Sequence, residues 1–225
     1  MSDVNFSKYS TFINEYFPNS GVSGSPYLIK IYEIVNRNIH FMKLIKKIDS
    51  DLHPERQRLY DDFHLLSLRM LYHLPSNDEF INNIIVRATS ENILRIVLSF
   101  IDEKCTDIIS LSYSSIMDSL AKKGFSQRYP DLHKKLSNYF GNYSKDVHGQ
   151  NLTKLSEKEY LVSIREENNE KHLSKLYSVY DKISLTFIPC ILSEMDVKKK
   201  TIPTGILSEM LNLVGEEVYY KYFSS

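Results

Sequence analysis

The residues best suited to chemistry lie in the stretch "NYFGNYSKDVHGQN", which covers residues 138–151. Gly141, Ser144 and His148 are separated by three and then four residues, a spacing that places them on one stripe of a helix. A histidine titrates near neutral pH, so His148 can serve as a general acid or base. The alternative is structural, because a histidine followed by a glycine is favourable at a helix C-terminus and needs no substrate. The residues by themselves leave both interpretations open.

Two further polar residues, Asn142 and Lys145, lie beside this stripe. The glycine within the predicted helix is also informative, because glycine costs a helix about 1 kcal/mol relative to alanine. We therefore expect another group to approach the helix closely at Gly141.

A charged stripe in "RATSENILR" forms a second candidate cluster. Arg87, Glu91 and Arg95 recur every four residues, and apolar positions border them on both sides. One interpretation is a chain of ion pairs at the rim of the core, each worth about 0.3 kcal/mol. The other is a partly buried polar cluster that points into a shared cleft, because buried charges need partners and often mark functional sites.

The composition excludes several classes of protein. The 28 basic and 28 acidic residues lack the basic excess of a dedicated nucleic-acid binder, so any contact with RNA must use a local patch or be brief. The two cysteines, Cys105 and Cys190, are too few for a disulfide framework or a zinc site. Both lie in apolar, helix-like patterns, so we expect buried free thiols.

Neither a metal nor a cofactor is expected. No two of the seven histidines are four residues apart, which argues against a metal site on a helix, and no glycine-rich phosphate loop is present. No apolar run reaches about 18 residues, and the first residues lack a basic region followed by an apolar core. We expect a cytoplasmic protein without membrane contact.

Hydrophobic periodicity and capping signals predict a single all-α domain over residues 1–225, a multi-helix bundle with a core at about 27–195. Ser25 is the expected N-cap of the second helix, and "SNDE" at residues 76–79 is the expected capping box of the fourth. Pro189 should interrupt or bend the seventh helix. Helices are expected at 4–17, 26–48, 53–74, 79–103, 107–123, 130–148 and 170–194, with a last helix that runs to the C-terminus and a loop at 150–169.

The stretch "YFGNYSKDVHG" resembles the terminal motif of one branch of the HEPN superfamily, all-helical domains common in toxin–antitoxin and phage-defence systems. In that branch a helix carries a tyrosine, three residues, an apolar residue and a serine, two residues, then valine, histidine and a small residue. The residues that fit are Tyr139, Tyr143, Ser144, Val147, His148 and Gly149. "RATSENILR" resembles the family's earlier helix, and together the motifs cover about a quarter of the chain.

The resemblance implies a metal-independent endoribonuclease. Active members use an arginine and a histidine that are separated by four to six intervening residues, usually from two protomers that face each other, so a homodimer is implied. The histidine assists the ribose 2′-hydroxyl in its attack on the adjacent phosphate, and the arginine steadies that phosphate. On this basis His148 is the acid or base, and Asn142 and Ser144 orient the substrate or the ring. Lys145, or an arginine of the fourth helix, is the phosphate partner.

The chain departs from the family pattern at position 142, which is asparagine, and no arginine lies in the expected window before His148. Arg128 and His133 in "RYPDLH" match the bare pattern but flank a proline near a helix start, so they form only a reserve site.

Three functions follow from these observations. The first is an RNA-cleaving effector of phage defence, abortive infection or a toxin system. The second is a non-catalytic HEPN-like module that binds or regulates a partner protein of such a system. The third is a plain adaptor bundle, which would be favoured if His148 were packed against the core with no cleft nearby.

Overall fold

The computed structural model of the protein describes residues 2–49, 54–147, 170–197 and 201–223. Within these ranges the chain is helical and contains no strand, which confirms the predicted all-α class. Short 3₁₀ turns at Leu74–Ser76 and Ile108–Ser110 join the longer elements. The α-helices of the described residues are α1 (Ser2–Tyr16), α2 (Pro26–Ile48), α3 (Pro54–His73), α4 (Glu79–Ile101), α5 (Tyr113–Lys122), α6 (Phe125–Arg128), α7 (Pro130–Val147), α8 (Glu170–Glu194), α9 (Thr204–Val214) and α10 (Glu216–Phe223).

The helix α4 is the centre of the bundle. It packs against α3, α5, α7 and α8, and α2 closes the other side by packing on both α3 and α8. Ile93, Leu94, Ile96 and Val97 of α4 are each 0% exposed. A helix that is apolar on several faces has to be surrounded by others, so this sequence places α4 in the core.

The start of α2 confirms the expected cap. The hydroxyl of Ser25 accepts a hydrogen bond from the backbone N–H of Tyr27 at 3.2 Å, and Pro26 occupies the first helical turn. Proline is favoured there because its missing N–H would have no partner inside the helix.

The predicted capping box at the start of α4 is wrong. Asp78, not Ser76, is the N-cap, and its carboxylate accepts a hydrogen bond from the backbone N–H of Phe80 at 2.9 Å. The hydroxyl of Ser76 instead donates to the carbonyl of His73 at 2.6 Å within the 3₁₀ turn. Because the hydroxyl of Ser76 is hydrogen-bonded within the turn that extends α3, the carboxylate of Asp78 caps α4 instead.

Two other helix boundaries differ from the prediction. The fifth helix begins at Tyr113, with Ser112 as its N-cap, because Asp107 has a left-handed φ of 57° and a 3₁₀ turn follows it. The predicted last helix is divided into α9 and α10 at Gly215, whose φ is 81°. Glycine adopts this conformation without strain, so the helix direction can change there.

The helix α8 continues through Pro189 from Glu170 to Glu194, so of the two predicted effects, an interruption or a bend, the interruption is absent. Proline has no N–H, so the carbonyl of Leu185, four residues earlier, has no intrahelical donor. The residues on both sides of Pro189 bury large side chains, and that packing holds the helix together.

The cysteine prediction holds for one residue of the two. Cys190 is a buried free thiol in α8, as expected. Cys105 is free but partly exposed, and it lies in the turn after α4. The apolar pattern around it belongs to α4 and to the 3₁₀ turn that follows.

A buried ion pair closes the C-terminal end of α4. The guanidinium of Arg56 donates from Nη1 to both carboxylate oxygens of Asp49, at 3.1 and 3.2 Å. Its Nε and Nη2 bind the hydroxyl and the carbonyl of Ser99, and Tyr60 donates to the same carboxylate at 3.1 Å. The guanidinium carbon lies 4.3 Å from the ring centroid of Phe100. All three nitrogens of Arg56 are therefore bound.

Candidate functional site

The centre of the predicted site, His148, lies outside the described residues. The helix α7 is described as far as Val147, the residue before it. The side chain of Lys145 is also outside the described part, although its backbone belongs to α7. The site can therefore be built from Ser144 and from the elements that pack on α7 near it.

Arg87 of α4 contacts α7 at Ser144. Its Nε donates a hydrogen bond to the Ser144 hydroxyl at 2.9 Å. That hydroxyl donates in turn to the carbonyl of Phe140, one helical turn earlier, at 2.6 Å. This contact joins the two clusters that the sequence indicated separately. The contact places the permanently charged guanidinium of Arg87 beside Ser144, which lies four residues before His148 in the sequence.

Aromatic rings support this arginine. The guanidinium carbon of Arg87 lies 4.4 Å from the ring centroid of Phe140. Tyr113 of α5 stacks parallel to the same ring, with 3.5 Å between the centroids. Because Tyr113 covers one face of Phe140, the guanidinium occupies the other face. A cation stacked on an aromatic face is held in orientation as well as in position.

Part of the Arg87 guanidinium is available to a ligand. Among the described residues, Ser144 is its one hydrogen-bond acceptor, and that bond uses only Nε. The terminal groups Nη1 and Nη2 have no protein acceptor in the described part of the chain, and the side chain is only partly buried. Two donors in a fixed plane match two oxygens of a phosphate.

The other charged residues of the stripe are structural. Arg95 pairs with Glu91 at 2.8 Å, which confirms the predicted ion pair for this half of the stripe. The Arg95 guanidinium also donates to the carbonyls of Ile108 at 3.3 Å and Leu111 at 2.9 Å. Arg95 thus fixes the connection from α4 to α5, whereas Arg87 contacts α7.

Two neighbours of Ser144 behave differently from expectation. A Cβ added to Gly141 would meet no described atom within 4 Å, so the expected close approach at this glycine is wrong for the described part of the structure. Asn142 is exposed and lies off the Arg87 contact. Its side chain is free to meet a ligand from solvent, but none of the described residues orients it.

A second cation lies near the end of α7 and was missed from the sequence. The ammonium of Lys175, on α8, lies 5.5 Å from the ring centroid of Tyr143 and 3.8 Å from a carboxylate oxygen of Glu79. Tyr143 directly precedes Ser144. The sequence could not assign Lys175 to the site, because a helix from a distant part of the chain brings it there.

A buried histidine links the starts of α4 and α8. The Nε2 atom of His172 lies 3.2 Å from the side-chain nitrogen of Asn82, and its Nδ1 lies 3.6 Å from Glu79. The polar contact with His172 is the main cause that lowers the pKa of Glu79 below its usual value.

The reserve pair, Arg128 and His133, is divided between two sets of contacts. Arg128 forms a salt bridge with Glu194 of α8, and the hydroxyl of Tyr129 donates to the same carboxylate at 2.6 Å. His133 lies edge-on to Phe125, with 5.9 Å between the ring centroids. Both side chains therefore have structural roles that fasten α6 and α7 to their neighbours.

A cleft of about 410 Å³ lies between α2 and α9, away from these residues. It is lined by His40, Lys43, Leu44, Lys46, Lys47 and Glu209. Because Lys46 pairs with Asp61 at 2.7 Å, part of its charge is neutralised. None of the predicted site residues lines this cleft.

Within the described ranges, no group of three or more histidine, cysteine, aspartate or glutamate residues could hold a metal ion. Over the same residues, no helix is both long and apolar enough to span a membrane.

Comparisons of the chain with models of protein families, with curated proteins and with solved structures found no match.

Proposed function

We propose that this chain is a metal-independent endoribonuclease of the HEPN type that acts in phage defence or as a toxin. His148 is the acid or base, and Arg87 is the phosphate partner. The observation that carries the proposal is the 2.9 Å hydrogen bond from Arg87 to Ser144. It brings an arginine of α4 to the motif helix at Ser144, and the motif helix itself lacks the family's arginine because position 142 is asparagine.

In the proposed reaction, His148 removes the proton from a ribose 2′-hydroxyl. The 2′-oxygen forms a bond to phosphorus, the bond from phosphorus to the 5′-oxygen breaks, and the leaving 5′-oxygen takes a proton. The products are a 2′,3′-cyclic phosphate and a 5′-hydroxyl end. The terminal amino groups of Arg87 bind the phosphate oxygens whose charge increases in the transition state.

The neutral net charge suits this role. A protein with 28 basic and 28 acidic residues binds RNA weakly overall, so it has to rely on a few well-placed cations. Among the described side chains, Arg87 and Lys175 are cations that lie near the end of α7, and the backbone of Lys145 belongs to that helix. A brief encounter with substrate is enough for cleavage.

The test is cleavage of a labelled single-stranded RNA in EDTA by wild type and by His148→Ala. We expect metal-free cleavage that yields 2′,3′-cyclic phosphate ends and that is lost in the variant. A substrate with 2′-deoxyribose at the cleaved position should resist cleavage. Equal cleavage by wild type and variant would exclude His148 as the acid or base.

Arg87→Ala and Arg95→Ala form a matched pair on the same stripe of α4. Loss of a positioned charge in a transition state typically costs about 100-fold in rate, so Arg87→Ala should lose about that factor. Arg95→Ala should retain most of its activity per folded molecule, because its donors bind Glu91 and backbone carbonyls. A larger loss of activity in Arg95→Ala than in Arg87→Ala would exclude Arg87 from the mechanism.

The second candidate is a non-catalytic HEPN-like module that binds a partner protein. It is favoured by the exposed asparagine at position 142, where an active member would carry arginine. Absence of metal-free cleavage by pure wild type, with recovery of a stable complex from its native host, would support this candidate.

A further inference from the structure

The outer face of α3 is apolar and is not covered by any described element. Leu65 and Leu68 are each 47% exposed, and Tyr72 is 54% exposed. Tyr16 of α1, 64% exposed, extends this face through the ring of Phe12, which contacts both tyrosines. Four of the seven large hydrophobic side chains that are exposed in the described residues thus lie in one patch. Contiguous patches of this kind mark interaction surfaces more often than scattered apolar residues do.

The charged residues of α3 also resemble those of an interface. The helix has three arginines and no lysine, although lysine is the commoner cation in this chain. Arg58 and Arg69 are exposed on the same side as the leucines. Arginine and tyrosine are enriched in protein interfaces and lysine is depleted, because an ordered guanidinium or ring loses less entropy on binding.

The order of these residues along α3 is complementary to itself. Asp62 lies about one turn before Leu65 and Arg69 about one turn after it, while Arg58 and Tyr72 are each seven residues away. If two copies of α3 lie antiparallel about a two-fold axis at Leu65, Arg58 of each copy meets Tyr72 of the other. Asp62 then lies beside Arg69 of the other copy. A parallel pair would instead oppose like charges.

We propose that two copies of this chain associate through the outer faces of α3, antiparallel and centred on Leu65. Leucines at the axis supply the apolar contact, and each copy supplies one Asp62–Arg69 ion pair and one Arg58–Tyr72 cation–π contact. The proposal does not depend on ribonuclease activity.

This arrangement leaves the Arg87 site away from the interface. The helix α4 contacts α3 through Asn92 and Ser99, and it contacts α7 through Arg87, which lies on a different face of the helix. The proposed contact therefore leaves the Arg87–Ser144 face of each copy outside the interface.

The first test is sedimentation velocity of the full chain over about 5 to 200 μM, a range suited to a small interface. We expect wild type to shift from monomer to dimer with concentration and Leu65→Glu to remain monomeric. Leu185→Glu is the matched control, because Leu185 is a 63% exposed leucine on α8. Wild type that stays monomeric throughout, or a Leu65→Glu variant that still dimerises, would overturn the proposal.

A charge exchange tests the antiparallel register. Asp62→Arg places two arginines together and should weaken the dimer at least tenfold. The double variant Asp62→Arg/Arg69→Asp restores opposite charges across the axis and should recover most of the affinity. A double variant as weak as the single one would exclude this pairing, even if the chain dimerises in another way.

A cysteine at position 65 tests directly whether the two copies of α3 meet at Leu65. In a Cys105→Ser background, Leu65→Cys places two thiols within disulfide distance across the two-fold axis, so mild oxidation should give a covalent dimer. Leu185→Cys should not cross-link under the same conditions. Equal cross-linking of the two variants would mean random collision and would contradict the proposed contact.

Discussion

Two arginines, Arg56 of α3 and Arg87 of α4, each lie against a phenylalanine ring at almost the same distance. Arg56 lies 4.3 Å from the ring of Phe100, and Arg87 lies 4.4 Å from the ring of Phe140. Every nitrogen of Arg56 is bound, and a buried carboxylate neutralises its charge. Arg87 binds one hydroxyl, and no carboxylate of the described residues pairs with it.

Aromatic stacking therefore does not by itself identify a functional arginine. Stacking fixes the plane of both guanidinium groups. What separates them is the number of donors left over and the presence of a counter-charge. An arginine whose donors all have acceptors in the protein can only stabilise the fold. An arginine with unused donors can bind an anion from solvent at little cost in reorganisation.

Stability should fall most when Arg56, whose nitrogens are all bound, is replaced. Arg56→Ala leaves the carboxylate of Asp49 buried without its partner, so the free energy of unfolding should fall by about 3–5 kcal/mol. Urea denaturation followed by circular dichroism measures this loss. Gln57→Ala, at the exposed neighbouring position, should change stability by less than about 0.5 kcal/mol. A loss below about 1 kcal/mol for Arg56→Ala would mean that the ion pair contributes little.

An intermediate effect is expected for Arg95→Ala, which removes the donor to two backbone carbonyls and the partner of Glu91. We expect a loss of about 2 kcal/mol in the free energy of unfolding, measured by the same urea titration. Arg95→Lys keeps the charge but not the forked geometry, and it should recover only part of the loss. Full stability in Arg95→Ala would show that water satisfies both carbonyls.

A smaller effect on stability is expected for Arg87→Ala, because it removes one hydrogen bond at a partly exposed site. The free energy of unfolding should fall by about 1 kcal/mol. Ser144→Ala removes the same bond from the other side and should cost a similar amount. Because Ser144→Ala keeps the guanidinium, it should retain more RNA cleavage than Arg87→Ala. Equal activities of the two variants would mean that cleavage depends on the Arg87–Ser144 hydrogen bond and not on the charge of Arg87.

A small, pH-dependent effect concerns Glu79, the first residue of α4. The polar contact with His172 lowers the pKa of this carboxyl below its ordinary value of 4.5. The unfolded chain therefore binds more protons at acidic pH, so this contribution to stability is present above about pH 4.5 and is lost as the pH falls through the folded pKa. Comparing Glu79→Gln with wild type by thermal unfolding at pH 6 and pH 3.5 should show a larger difference at the higher pH.

Most of the fold could be predicted because its signals are local. The spacing of Leu28, Ile31 and Val35 and the pairing of Ser25 with Pro26 define α2 without reference to any other helix. The errors arose where two local signals competed. Ser76 and Asp78 could both cap α4, and only the 3₁₀ turn that follows α3 decides between them.

The candidate site could be predicted only in parts. The stripes of Arg87 and Ser144 were visible separately, because each follows from the period of one helix. Their contact depends on how α4 and α7 pack, and the sequence contains no local signal for that. Lys175 and the Tyr113–Phe140 stack were missed for the same reason.

The proline in α8 has a consequence for local opening. Because one helix hydrogen bond is missing at Pro189, the turns after it depend on side-chain packing more than the turns before it do. Those last turns carry Glu194, which holds Arg128 and Tyr129. Amides of α6 should therefore exchange with deuterium together with the end of α8, and faster than the first turns of that helix.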